Sequence, residues 1–180
     1  MAHVAVASNR LVDPLAMKPG DVVASDIAAA LAKICRWGGM CNPFYSVAEH
    51  SVRVATRAAQ MVDSFRTPDD VFLLRQYALL HDAAEAYLGD LRLPLKRLPE
   101  FQFYRDAEHR LLAVIHERAG LDPVVPEWVS DAIKMADAEE ADQEWQSLML
   151  ERNGLALEWR QAESLYAHHL AVCFPSWARL

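Results

Sequence analysis

The chain has 180 residues and a mass of 20.3 kDa, a size suited to one compact domain with a real core. Hydrophobic residues make up 53% and charged residues 24%, so no stretch reads as disordered, and a net charge of −7 argues against a broad grip on nucleic acid or an anionic membrane. Cys35, Cys41 and Cys173 show no CxxC spacing, no leader pattern opens the chain, and no apolar run reaches about 18 residues; reduced thiols in a soluble, cytoplasmic protein are expected.

Residues 3–12, HVAVASNRLV, can form two short strands around Ser8-Asn9, where Asn tolerates turn geometry. Ser25-Asp26 opens the apolar stretch IAAALAKIC, a helix that Gly38-Gly39 would close, which puts Arg36 and Trp37 at a helix end. Ser46 followed three residues later by Glu49 is a capping-box pattern and starts a helix to about Met61, with His50 in its first turns. The next helix has Thr67 as N-cap, Pro68 at its first position and Asp69-Asp70 in its first turn; the pattern predicts that it runs through His81-Asp82 and stops near Gly89. Pro94 interrupts the LRLPLKRLP connection. A fourth helix spans about Glu100 to Ala119 and is closed by Gly120, a fifth runs from Pro126 through EWVSDAIKMADAEEADQEWQSLML to Asn153-Gly154, and a sixth covers about Ala156 to Cys173. Long periodic segments between short Pro/Gly breaks predict an all-α fold, a compact bundle of about six helices with a short N-terminal β-hairpin. Read as a single domain over 1–180, it comprises an N-terminal extension or hairpin (1–24), the central helices (25–151) and a C-terminal helix (155–173).

The third helix is apolar on nearly every face, which marks it as buried, yet it carries His81, Asp82 and Glu85. A buried carboxylate is costly unless it is paired, hydrogen-bonded or bound to a metal. Glu85 lies four residues after His81 and three after Asp82, so all three project to one side, and Ala78, Ala83, Ala84 and Ala86 leave room beside them. His and Asp are typical ligands of a divalent cation, but two ligands rarely suffice. His50, flanked by Val47 and Val54, is the best second histidine, and Asp137, in AIKMADAEEAD, the best second carboxylate; ligands from different helices converge in this way inside bundles. Read singly, His50 is more often a surface or satisfied core residue and Asp137 a solvated charge.

Taken together and in this order, YSVAEHS around His50, LLHDAAE around His81-Asp82 and KMAD ending at Asp137 resemble the HD-domain metal-dependent phosphohydrolases. CRWGG at 35–39 and HDAAEAYLGDLRLPLK at 81–96 extend the resemblance to the YfbR-like 5′-deoxynucleotidases and the phage dATP triphosphohydrolases, over a span from about Ser25 to Asp142. The resemblance implies that His50, His81, Asp82 and Asp137 bind one divalent metal; two nitrogens and two carboxylates do not choose among Mn, Co, Zn, Fe and Mg. It further implies attack of a metal-bound water on a deoxynucleotide, releasing phosphate from a deoxynucleoside 5′-monophosphate or from a dNTP such as dATP. Glu85, one turn beyond the ligands, is then the first acid–base candidate, and Asp90, in the family's GD motif, the second. Arg36 holds the family's basic position before His50 and can grip phosphate in a bidentate manner; Lys134, three residues before Asp137 and so expected on the ligand face of its helix, and Lys96, in GDLRLPLK, are further cations for phosphate, and Trp37 is a stacking surface for a base. His109 and His116, about two turns apart, would share a face, but the resemblance favours one metal. A homo-oligomer with a small-molecule nucleotide ligand, and with neither a nucleic acid polymer nor a membrane as partner, completes the expectation. Two alternatives stand beside it: HD-type hydrolysis of another phosphorylated metabolite or alarmone, and a catalytically silent nucleotide-binding protein of the same fold.

Overall fold

The computed structural model describes residues 3–62, 64 and 66–178. At its N-terminal end β1 (Val4–Ala5) and β2 (Leu11–Val12) pair antiparallel, Val4 opposite Val12 and Ala5 opposite Leu11. Asn9 between them is left-handed (φ 60°), a conformation Asn reaches more readily than most side-chain-bearing residues. The hairpin is tied to α1 (Ala24–Leu31) by buried Asp26, which accepts from the Ser8 N–H at 2.7 Å, Ser8 Oγ at 2.9 Å and Arg10 Nη2 at 3.2 Å.

α1 ends at Leu31, well short of the Gly38-Gly39 stop the sequence predicts. The cause is a tertiary pairing: Cys35 is extended and bridges Ser46, with Val47 N–H donating to Ile34 O at 3.0 Å and Arg36 N–H to Tyr45 O at 2.8 Å. Arg36–Gly39 is therefore a separate tight turn in which Trp37 (φ 60°) and Gly38 (φ 61°) are both left-handed. For Trp37 that conformation costs about 1–2 kcal/mol, so other contacts must hold it.

α2 (Val47–Val62) is the central helix, its first turn capped by Ser46 Oγ, which accepts from the Glu49 N–H at 3.1 Å. It packs against α3 (Pro68–Leu80) and, later in the chain, α7 (Glu127–Glu144) and α8 (Trp159–Cys173). α3 starts where the sequence predicts: Thr67 Oγ1 accepts from the Asp70 N–H, and Asp70 Oδ2 accepts from the Thr67 N–H. It does not, however, run unbroken to Gly89. From His81 the backbone tightens to bonds between residues three apart, Ala83 N–H to Leu80 O (2.9 Å) and Glu85 N–H to Asp82 O (3.0 Å), before α4 (Glu85–Leu88) resumes and ends at Gly89.

Two contacts support this break. His81 Nδ1 lies 2.7 Å from Ala78 O, and the buried Tyr166 of α8 donates its hydroxyl to the Leu79 carbonyl at 2.9 Å. A buried carbonyl left without a donor costs about 1–3 kcal/mol, so Tyr166 stabilises the departure from regular helix.

Pro94 sits inside a short helix, α5 (Leu93–Lys96), in the first turn, where its missing N–H is not needed. A turn at Pro99–Phe101 leads into α6 (Gln102–Ala119), closed by left-handed Gly120 (φ 81°). α7 follows Pro126 and, where the sequence predicts plain helix as far as Asn153-Gly154, changes to π-helical geometry over Trp145–Leu150. The fully buried Ile27, Leu31, Leu74, Leu80, Tyr166 and Leu170 join α1, α3 and α8 in one core. The fold is all-α apart from the hairpin, and among the described residues no helix is long and apolar enough to cross a membrane.

Candidate metal centre

The break after α3 brings His81 and Asp82 up against His50 in the first turns of α2 and Asp137 in the middle of α7. His50, wholly buried, has Nε2 3.1 Å from Asp137 Oδ1 and 3.7 Å from Asp82 Oδ2. His81 has Nε2 3.2 Å from Asp82 Oδ2, and the two imidazole centroids are 5.4 Å apart. Ligand atoms of His50, His81 and Asp137 lie within 4.8 Å of one another. Both Nε2 atoms are buried and have no hydrogen-bond partner among the described residues, the carboxylates approaching them without hydrogen-bond geometry.

The other ring nitrogens are committed. His81 Nδ1 faces the Ala78 carbonyl, which can only accept, so this imidazole carries its proton on Nδ1 and leaves the Nε2 lone pair toward the site. His50 Nδ1 lies 2.6 Å from Glu144 Oε1. Two unpartnered imidazole nitrogens facing two carboxylates, each imidazole braced from behind by an oxygen, fit a divalent first-row cation.

Electrostatics bind the cluster together. Burial and the Arg36 charge oppose protonation of His50, yet Asp137 and Glu144 outweigh them and raise its pKa to about 9. Burial likewise disfavours the charges of Asp82, Asp137 and Glu144, but His81, His50 and Arg36 hold Asp82 well below the usual carboxylate range, His50 and His81 lower Asp137, and His50 and Arg36 lower Glu144. Glu85 goes the other way: burial, then the neighbouring Asp82 and Asp90, push it up to about 10, and its Oε2 has no hydrogen-bond partner among the described residues. With no cation beside it, Glu85 is a neutral acid at neutral pH. Asp90 is raised too, by burial and Asp82 against the opposing pull of Arg36 and Lys96.

The expected substrate-binding residues divide. Arg36 is largely buried, donates to Glu144 through Nε (3.3 Å) and Nη2 (3.1 Å), and holds Nη1 3.9 Å from Asp82 Oδ2. Trp37 donates its indole N–H to the same Glu144 oxygen at 3.0 Å, and its ring lies against Trp145, centroids 5.5 Å apart. Lys96 pairs with Glu108 at 2.5 Å; burial works against its charge, but Glu108, Asp82 and Glu85 raise its pKa. Lys134 is 72% exposed and pairs with Asp131 at 3.2 Å, on the solvent side of α7. His109 is exposed while His116 is buried against Tyr77, ring centroids 5.0 Å apart, so the two do not form a second cluster.

Glu144 escapes a reading of the sequence, although a signal exists: it lies seven residues after Asp137, two helical turns along the same face. Its setting, EEADQE, reads as solvated acid. The same run hides Glu140, which is buried and takes Arg57 at 2.7 Å.

The chain is an all-α bundle that gathers imidazoles and carboxylates from α2, α7 and the break after α3, and the family profile described as "HD domain" matches residues 47–170; the chain belongs to that family. It is 41% identical over 118 residues to the uncharacterised protein YfdR of Escherichia coli, covering 65% of this chain and 56% of that one. An uncharacterised protein of Rhodobacter capsulatus is 39% identical over 132 residues (72% and 64%), and a 5′-deoxynucleotidase of Shewanella oneidensis 31% identical over 126 residues (67% and 63%). The chain thus spans about three fifths of the length of the curated relatives it matches.

Proposed function

We propose that this chain is a phosphohydrolase of deoxynucleotides that works with one divalent cation held by His50, His81, Asp82 and Asp137, and that deoxynucleoside 5′-monophosphates are its substrates. The observation that carries the reading is the pair of buried, unpartnered Nε2 atoms facing Asp82 and Asp137, with Glu85 and Arg36 in the same electrostatic cluster. Similarity to the Shewanella 5′-deoxynucleotidase supports the substrate class.

A cation bound there would polarise a phosphoryl oxygen and lower the pKa of water. The chain's own residues supply the rest. Asp82 and Asp137 are ionised, so a phosphate beside them meets repulsion of about 1 kcal/mol per charge pair at 4 Å in water, and several times that where water is excluded; the site is suited to an anion only when a cation sits between. Arg36, with Nη1 unspent on Glu144, offers donors to a phosphoryl oxygen. Glu85, buried in the same cluster, can give a proton to the leaving oxygen as the neutral acid or, where a bound cation holds it ionised, take one from the attacking water, and Lys96 adds positive charge near it.

The test is phosphate release from a panel of dNMPs, NMPs and dNTPs with Mn²⁺, Co²⁺, Mg²⁺ or Zn²⁺ added in turn. Turnover of dNMPs above NMPs supports the reading. Turnover confined to dNTPs would replace the proposed substrate, and no turnover of any nucleotide would overturn it.

A further inference from the structure

Four contacts from three residues meet on one carboxylate that lies outside the expected ligand set. Glu144, the last residue of α7, is 2% exposed. Its Oε1 lies 2.6 Å from His50 Nδ1, and its Oε2 accepts from Arg36 Nη2 (3.1 Å), Arg36 Nε (3.3 Å) and Trp37 Nε1 (3.0 Å). An ionised carboxylate only accepts, so the shared proton belongs to His50 Nδ1. This leaves Nε2 as the nitrogen that faces Asp82 and Asp137.

The second oxygen governs a different element. Arg36 and Trp37 sit on a tight turn in which Trp37 is left-handed, outside any regular helix, so side-chain contacts must fix where they point. Glu144 supplies hydrogen bonds to both, and the next residue, Trp145, packs on the Trp37 ring at the start of the π-helical segment.

We infer that Glu144 is a positioning residue that couples the metal ligand His50 to the Arg36–Trp37 turn, presenting His50 Nε2 for the cation and Arg36 Nη1 for the phosphate through one carboxylate. The inference rests on the metal and phosphate reading proposed above. Its consequence is that one side chain sets both cation affinity and substrate affinity, although it touches neither ligand. Carboxylates that brace a metal-binding imidazole typically account for about 10- to 100-fold in metal affinity.

The test is Mn²⁺ binding to the metal-stripped full chain, followed by calorimetry and by electron paramagnetic resonance of free Mn²⁺. Glu144→Gln keeps the shape and removes the charge; the expected result is a Mn²⁺ affinity about 10- to 100-fold weaker, with the circular dichroism of the stripped protein unchanged, and a raised KM for the dNMP at saturating Mn²⁺. A variant affinity within twofold of wild type overturns the inference while leaving the proposed function standing. Wild-type protein that binds no Mn²⁺ overturns both. Should the variant fail to fold, ¹⁵N NMR of wild-type protein loaded with Zn²⁺ decides: a protected Nδ1–H on His50 is expected, and a His50 that carries its proton on Nε2 overturns the inference.

Discussion

Adding a divalent cation to metal-stripped protein should raise its thermal midpoint, and the size of the rise can be worked from the site. Without a cation the folded chain buries two ring nitrogens that make no hydrogen bond, a cost of about 1–3 kcal/mol each, partly offset by protonating His50 between Asp137 and Glu144. A cation that binds the folded chain alone contributes about 2.7 kcal/mol at a hundred times its dissociation constant. For a chain of this length each kcal/mol moves the midpoint by about 2–4 °C, so saturation should add about 5–11 °C. The assay is differential scanning calorimetry after stripping with EDTA and dialysis, with Mn²⁺, Co²⁺, Mg²⁺ and Zn²⁺ titrated separately. Asp137→Asn, nearly the same shape without the charge, should lose most of the rise. Equal stabilisation of the variant and the wild type by every ion would refute the placement of the site, and no stabilisation by any ion would refute its existence.

Glu85→Gln should lower kcat by about 10²- to 10⁴-fold while leaving the metal-induced rise in midpoint in place, which stopped-flow phosphate detection and calorimetry check together. Tyr166→Phe removes the donor to the Leu79 carbonyl and should cost about 1–3 kcal/mol in urea unfolding, more than Tyr→Phe at an exposed position. Burial pushes His116 down to about 4 from 6.5, so below pH 6.5 the unfolded chain takes a proton that the folded chain refuses. Stability therefore falls as pH drops from 6.5 to 4, by about 3–4 kcal/mol at most at 1.36 kcal/mol per pH unit, and is unaffected by this group above that window. Unfolding by urea at pH 7 and pH 4.5 should show a smaller loss for His116→Phe than for wild type.

Local chemistry was the most legible part of the fold. Thr67, Pro68 and Asp70 cap α3, Gly120 closes α6, and Asn9 turns the hairpin because each acts through contacts within a few residues, which a sequence displays directly. Where a distant partner decides, the sequence misleads. α1 stops at Leu31 because Cys35 pairs with Ser46, and the helix breaks at His81 with support from Tyr166, far along the chain on α8; neither partner leaves a mark on the segment it interrupts.

The same division runs through the site. The order of His50, His81-Asp82 and Asp137 points to one cluster, and the structure brings their side chains together. Lys134 shows the limit of helical arithmetic: residues three apart are rotated by about 60° around the axis. Since Asp137 is itself at the edge of the site, that rotation carries Lys134 out to solvent and Asp131. Glu144 was concealed for the opposite reason, as an acid in an acidic run whose burial follows only from how α7 meets the Arg36–Trp37 turn.

The most direct test of a cation-dependent phosphohydrolase site at His50, His81, Asp82 and Asp137 is phosphate release from a dNMP by three preparations side by side: stripped wild type, wild type with Mn²⁺, and Asp137→Asn with the same Mn²⁺. Release by the second alone is the expected result. Undiminished release by stripped wild type, or by the variant, would contradict the account.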